Sequence, residues 1–403
     1  MNIGIICEYN PFHNGHLYHV EKIREEFGED TNIIAVMSGN YVQRGGVAIA
    51  DKGVRAKCAV LCGVNLVLEL PFPFSMSSAE YFARSAIHIL DSLNCVDYVS
   101  FGSESGSVDE LTNIAKLMMS DEFKHEFERL SLNENTKKHG HATLCEIAIK
   151  NICQEAPSVS LTPNNILAIE YIKAIISSKS CLKIHTIKRS NNSFSDTKIV
   201  PGYIQSATAI RNSIAEKDIS ALEYIPNITK SIILDAISTG DFPCENGKLS
   251  SSIISFLRLN SSSYQDSIHD TNGGLYNRLT DISFKATTIE SLISAAESKN
   301  FTKARIRRTL FYSLLGVTSS HFGNLPAYTQ LLAIDSRGRA ILKSIGKQSS
   351  LPILTKPSDI GKLSDAALPQ KRLSDKADSI FQMTKPIPKD GNSALRFTPF
   401  VKK

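Results

Sequence analysis

The stretch Glu8-Tyr9-Asn10-Pro11-Phe12-His13-Asn14-Gly15-His16 decides how this chain is read. Before it stands Ile3-Gly4-Ile5-Ile6, a short apolar run of the kind that fills a buried parallel strand. After it, Leu17, Val20 and Ile23 recur at helical spacing. The two histidines therefore sit where a first strand turns into a first helix. A helix start offers unpaired backbone N–H groups and the positive end of the helix dipole, which suit a phosphate. Gly15 lets the backbone come close to that phosphate. The imidazoles of His13 and His16 can donate hydrogen bonds to oxygens that gain charge as a triphosphate is cleaved. A bare pair of histidines could equally be surface or capping residues; the strand before them and the Asn-Pro turn favour the phosphate site.

Working outward, short apolar runs at 3–7, 33–37, 64–70, 95–101 and 182–187 alternate with amphipathic stretches. Helices are expected at about 15–27, 51–62, 77–93, 107–129 and 163–178, the last opened by a hydroxyl cap and a proline, Thr162-Pro163. Alternation of this kind predicts an α/β fold, a Rossmann-like doubly wound parallel sheet, over residues 1–215. Ligands of such a sheet bind beyond the carboxyl ends of the strands. The unusual residues fall there: Ser38–Gly46 after the second run, Pro71–Ser75 after the third, Gly102-Ser103-Glu104 after the fourth and Lys188-Arg189 after the fifth. Residues 216–403 read as a second, mostly helical region. Within it, 259–274 is expected to be an exposed loop, and 347–403, rich in Lys, Pro and Ser, a loosely packed tail or strands laid on the rest.

Ser206-Ala207-Thr208-Ala209-Ile210-Arg211 is the second informative element. Hydroxyls at a helix start can cap it and also bind phosphate oxygens, and an arginine one turn on presents a fork that matches a phosphate. The pattern is similar to the motif that closes the ATP site of small nucleotidyltransferases. His13-Asn14-Gly15-His16 likewise resembles the His-x-Gly-His signature of that superfamily, whose type of sheet is expected here.

A closer resemblance covers most of residues 1–215. EYNPFHNGH, MSGNYVQRG, AIADKGVRA, LVLELPFPFS, SAEYFARSA, FGSE, LTPNNILAIEYIKAI and IKR…SATAIR look like the tRNA(Met) cytidine acetate ligase family, with a weaker continuation through ARIRRTLFYSLLG. The resemblance implies an ATP-dependent enzyme that installs N4-acetylcytidine at the wobble position of elongator tRNA(Met), using acetate. It places ATP on Cys7, Glu8, Tyr9, Asn10, Pro11, Phe12, His13, Asn14, Gly15, His16 and Leu17, on Gly102, Asn164, Asn165, Lys188 and Arg189, with Ser206, Thr208 and Arg211 closing the site. Gly53, Gly46-Val47 and Leu331-Leu332-Ala333-Ile334 depart from the family pattern, the last in a part expected to face tRNA.

Such a reaction needs cationic and N–H donors around three phosphates, because acetate is a poor acyl donor until ATP converts it to acetyl-adenylate. His13, His16, Lys188 and Arg211 are the expected catalytic residues. Mg²⁺ is expected to share the load, with Glu8 or Glu104 holding it through water. Arg44 or Lys52 could pair with the acetate carboxylate or a phosphate. Plainer readings stand beside these: surface salt bridges for Arg44 and Lys52, a hydrogen-bond acceptor for Glu8, a helix cap for Asn164 and Asn165.

Charge separates the two regions. Residues 301–403 carry a net charge of +12 and the first 300 residues −7. With the basic helix bearing Lys303, Arg305, Arg307 and Arg308, this points to tRNA phosphates rather than a bland solvated face. The eight cysteines form no C-x-x-C pair, which fits reduced thiols in a cytoplasmic protein and no structural metal. No apolar stretch is long enough to span a membrane. Neither membrane nor DNA is an expected partner. Two other functions use some of these features: a small-molecule adenylyltransferase, which needs no basic C-terminal region, and a non-catalytic RNA-binding protein with a relic nucleotide fold, which does not need both histidines.

Overall fold

A computed structural model gives the fold and describes all residues except 134–135, 137–138, 155–158, 190–196, 201–202 and 261–266, and the side chains of 393 and 394. Among the described residues, eight strands form one sheet: β1 (Asn2–Cys7), β2 (Asn32–Ser38), β3 (Leu66–Leu70), β4 (Tyr98–Ser103), β5 (Lys183–Lys188), β6 (Thr329–Ile334), β7 (Ile353–Leu354) and β8 (Phe400–Val401). The order is β5-β4-β1-β2-β3-β6-β7, with β8 beside β6. β1 to β5 are mutually parallel, and β6 runs antiparallel to β3.

The strands alternate between two cores, as the period of two in a pleated strand requires. Ile3, Ile5, Ile33, Ala35, Met37 and Val67 face α1 (Asn14–Phe27) and α2 (Lys52–Leu61), where Val20, Ile23, Ala56 and Ala59 meet them. Ile34, Val36, Leu66, Leu68, Val99 and Phe101 face the other way, into α3 (Ala79–Ser92), α4 (Val108–Met119) and the helix Pro163–Ser178. The chain leaves β1 for β2 on one side and returns to β4 on the other. The crevice at the carboxyl ends of β1 and β4 is thus the switch point of the sheet, where a ligand is expected. Cys7–His16 and Gly102–Glu104 lie there.

Several expectations are corrected. The single helix expected at 107–129 is two, because Ser120 ends α4 and caps α5 (Asp121–Leu132), accepting the Phe123 N–H at 3.1 Å. A helix the pattern did not reveal, α6 (His141–Cys153), precedes α7, the helix Pro163–Ser178. Leu331–Ile334 does not face RNA: it is the core of β6 and is buried. The sheet therefore runs across residue 215, since β6 and β8 come from the C-terminal region. Residues 347–403 are not a loose tail; the helix Ala367–Phe381 buries Ala377 and Phe381 completely in the main core. In the expected loop 259–274, residues 261–266 lie outside the described residues.

Candidate active site

His13 is the N-cap of α1, with extended backbone, and its Nδ1 accepts the Gly15 N–H at 3.0 Å. The His16 Nδ1 accepts the His13 N–H at 3.2 Å, which closes a reciprocal capping box. Each ring thus spends Nδ1 as an acceptor, so in the neutral form each carries its proton on Nε2. Burial, then the charges of Arg189 and Arg211, pushes His13 down to about 3. Burial, then His13 itself, holds His16 well below the ordinary range. At neutral pH the site therefore presents two uncharged N–H donors at a helix start.

The loop that carries them is fixed from beneath. Tyr9, buried with φ +48°, packs its ring 4.6 Å from Phe12 and edge-on to His16 at 4.9 Å. The Asn10 side chain accepts the Ile49 N–H at 2.7 Å. Its carbonyl accepts Arg211 Nη1 at 2.7 Å, and Arg211 Nη2 donates to Thr208 Oγ1 at 3.0 Å. Ser206 caps the same helix, Ala207–Ala215, by accepting the Ala209 N–H at 3.0 Å. The two motifs recognised in the sequence are thereby joined across 201 residues.

Glu8 Oε1 accepts the Gln43 N–H at 2.7 Å. Burial raises its carboxyl, against that hydrogen bond and the charges of Arg211, Arg55 and Arg44. Arg44 is exposed on the turn beside it. Arg55 was not recognised in the sequence. It is 1% exposed and donates to backbone carbonyls at the ends of β1 and β2, Glu8 at 2.5 Å and Ser38 at 3.1 Å. An arginine one turn after Lys52, among the apolar residues Ala56, Ala59 and Val60, was the signal for it.

At the neighbouring strand ends, Lys188 and Arg189 are exposed. The Arg189 side chain lies over Gly102, where a Cβ would come within 3.2 Å of its Cγ. Lys188 lies over Gly106, which at φ +68° leaves only 2.7 Å between a built Cβ and that of Lys188. A further network escaped the sequence reading: Ser100 Oγ bridges His19 and His185, each at 2.9 Å, and His185 reaches Glu26 at 2.7 Å.

Other candidates are placed differently. The Glu104 carboxylate is engaged within the chain: it accepts Thr162 Oγ1 at 2.6 Å, Asn164 Nδ2 at 2.6 Å and the Asn165 N–H at 3.1 Å, closing the start of α7. The buried Asn165 amide returns the clasp by accepting the Glu104 N–H at 2.9 Å and donating to the Ser160 carbonyl at 2.9 Å. Lys52 does not reach the site. It is buried, with Nζ 2.8 Å and 2.9 Å from the two oxygens of Glu69 and 2.6 Å from Asp378. Nor do all the basic residues of the helix Lys303–Leu315 present free charge: Lys303 pairs with Glu297 at 3.3 Å, and Arg305 and Arg308 pair with Asp270 at 2.9 Å and 3.4 Å. Among the described residues, no three His, Cys, Asp or Glu side chains gather as a metal site.

The arrangement can hold a triphosphate at the start of α1, ringed by uncharged imidazole donors and by guanidinium and ammonium groups. Comparison with known proteins agrees with that chemistry. Residues 1–394 match the HIGH Nucleotidyl Transferase family. The tRNA(Met) cytidine acetate ligase of Thermoanaerobacter sp. (strain X514) is 38% identical over 378 residues, 92% of each chain. That of Acetivibrio thermocellus is 35% identical over 382 residues, 92% of this chain and 91% of its own. A crystal structure of Thermotoga maritima TmcAL bound with alpha-thio ATP superposes with a TM-score of 0.89 at 30% identity, each chain fully covered.

Proposed function

The chain belongs to the tRNA(Met) cytidine acetate ligase family, and from that premise we propose how its own residues carry the reaction. It is an ATP-dependent tRNA-modifying ligase: it activates acetate as acetyl-adenylate and transfers the acetyl group to N4 of the wobble cytidine of elongator tRNA(Met).

The observation that carries the site assignment is the reciprocal cap of His13 and His16, with Arg211 tied to the same loop through the Asn10 carbonyl. An acetate oxygen attacks the α-phosphorus of ATP, and the bond to the bridging oxygen of pyrophosphate breaks. Negative charge grows on the α-phosphoryl oxygens and on the departing group. The Nε2–H groups of His13 and His16 and the free amides of α1 meet the first. Lys188, Arg189 and Arg211 meet the second. The exocyclic amine of cytosine then attacks the acetyl carbon, AMP leaves and the amine loses a proton. A wobble base lies in an unstacked anticodon loop and can be splayed out to meet the adenylate.

Mg²⁺ would enter on the triphosphate. The chain offers it little of its own, because Glu104 is spent on α7 and Glu8 has given one oxygen to Gln43. The C-terminal region, with its net +12, is proposed to hold the tRNA while the N-terminal sheet performs adenylation. No helix among the described residues is long and apolar enough to cross a membrane. The proposed setting is cytoplasmic, and eight unpaired cysteines support it.

The test is the fate of labelled acetate. Label should enter elongator tRNA(Met) only when ATP is supplied. Efficient labelling from acetyl-CoA without ATP would overturn the assignment.

A further inference from the structure

The helix Lys303–Leu315 turns its arginines in two directions. Arg305 and Arg308 are one turn apart and share Asp270; Arg305 also donates to the carbonyls of Asp270 at 3.2 Å and Asn272 at 2.8 Å. Arg307 is displaced around the helix by about 100° from Arg308 and about 160° from Arg305, so it leaves by another face. That face lies on Gly45. A Cβ built on Gly45 would stand 2.6 Å from the Arg307 Cβ and 2.7 Å from the Arg308 backbone nitrogen, and φ +85° at Gly45 already favours glycine.

Gly45 belongs to the tight turn that bears on the active site. Its N–H donates to the Val42 carbonyl at 3.0 Å, and two residues earlier the Gln43 N–H donates to Glu8 at 2.7 Å. Between them Arg44 is exposed. Arg44 and Arg307 are the positive charges that act on the Arg211 guanidinium, with Glu8 the acid set against them. Arg211 in turn is held by the carbonyl of Asn10, three residues before His13. The guanidinium groups of Arg44, Arg211 and Arg307, from three parts of the chain, thus act on one another beside the half-buried Glu8 carboxylate, on which Arg211, Arg55 and Arg44 act. Like charges gathered around a half-buried loop favour an anion between them.

We propose that Arg307 contacts substrate at the adenylation site: with Arg44 it forms a cationic wall for the β- and γ-phosphates of ATP. The inference rests on the function proposed above. As the acetate oxygen bonds to the α-phosphorus and the bridging P–O bond breaks, the electron pair stays on pyrophosphate, and the two guanidinium groups meet the charge it gains. The C-terminal region then contributes a residue to the chemistry of the N-terminal sheet, and Arg307 serves ATP rather than tRNA.

Acetate-dependent ATP–pyrophosphate exchange with the full chain tests this. Arg307→Ala keeps the Cβ that packs on Gly45 and should lower exchange on the order of a hundredfold. KM for ATP and for pyrophosphate should rise, while KM for acetate and the affinity for elongator tRNA(Met) stay within about twofold. Arg307→Lys should recover part of the loss, and it decides the matter if the alanine variant fails to fold. Exchange equal to wild type would overturn the assignment, as would loss confined to tRNA binding or a rise confined to the KM of acetate, which would make acetate the anion. Absence of acetate-dependent exchange in the wild type would instead overturn the functional reading itself.

Discussion

The rings of His13 and His16 lie 3.8 Å apart, tilted by 33°, and each is oriented by a backbone N–H delivered to Nδ1. The backbone therefore chooses the tautomer. A pair of imidazoles that donate through Nε2 without carrying charge can stabilise phosphoryl oxygens without strongly attracting the triphosphate ground state. This favours the transition state over the bound substrate.

His13→Ala or His16→Ala should each lower acetyl-adenylate formation about a hundredfold, on the order of 3 kcal/mol of transition-state stabilisation. Acetate-dependent pyrophosphate release measures it. A double variant that kept near-wild-type release would refute the role. His13→Ala should also lower stability by about 1 kcal/mol, since the cap of α1 is lost.

The same burial makes the ligand-free protein acid-sensitive. His13 titrates at about 3 when folded against 6.5 in the unfolded chain, so between those values the unfolded state binds the extra proton. His13's contribution is fully present above pH 6.5 and is lost as pH falls toward 3, at about 1.4 kcal/mol per pH unit. His19, depressed to about 4 by burial and then by His185 and Arg189, acts in the same direction. Urea unfolding between pH 7 and 4.5 should show the slope, and His13→Gln should make it shallower.

Lys52→Met should be strongly destabilising. Burial disfavours the charge of Lys52, but Asp378 and Glu69 outweigh that and hold its pKa above the ordinary lysine value. Removing the ammonium leaves both carboxylates buried without their cation, a loss of about 3–5 kcal/mol. Thermal unfolding should show it. The KM for acetate of the folded fraction should not change, because the side chain faces Glu69 and Asp378 and not the phosphate loop.

What could be read in the sequence was local. The switch from strand period to helix period around His13 spans only a few residues, and so does the capped element Ser206–Arg211, so the sheet, the phosphate loop and that element were each legible on their own. Long-range pairs were not. Lys52 looked like a free cation beside the site because its partner Asp378 is 326 residues away. Glu104 looked like a metal acid because Thr162 and Asn164, which occupy it, are 58 and 60 residues away. Leu331–Ile334 is a plain apolar run whose place in the sheet is set by distant partners, β3 on one side and β7 and β8 on the other, and flanking helical patterns hid it.

Glu104→Ala should loosen α7 rather than alter metal use. It removes the acceptor of the Thr162 hydroxyl, the Asn164 amide and the Asn165 N–H together. The expected cost is about 1–3 kcal/mol of stability. The Mg²⁺ concentration giving half-maximal adenylation should stay where it is in the wild type. A marked rise in that concentration would return Glu104 to the metal.

Arg305 and Arg308 should behave as structural cations. Their side chains are 23% and 10% exposed, and both are committed to Asp270 at the loop before the helix Leu275–Ser283. Arg305→Ala together with Arg308→Ala should lower stability by about 1–3 kcal/mol, because Asp270 is left half-buried without a partner. Loss of a true phosphate contact reduces the slope of log affinity against log salt by roughly 0.7–0.9 per contact. The double variant, assayed below its unfolding midpoint, should keep the wild-type salt slope for elongator tRNA(Met). A slope reduced by about two contacts, with stability unchanged, would show instead that these arginines leave Asp270 to hold RNA.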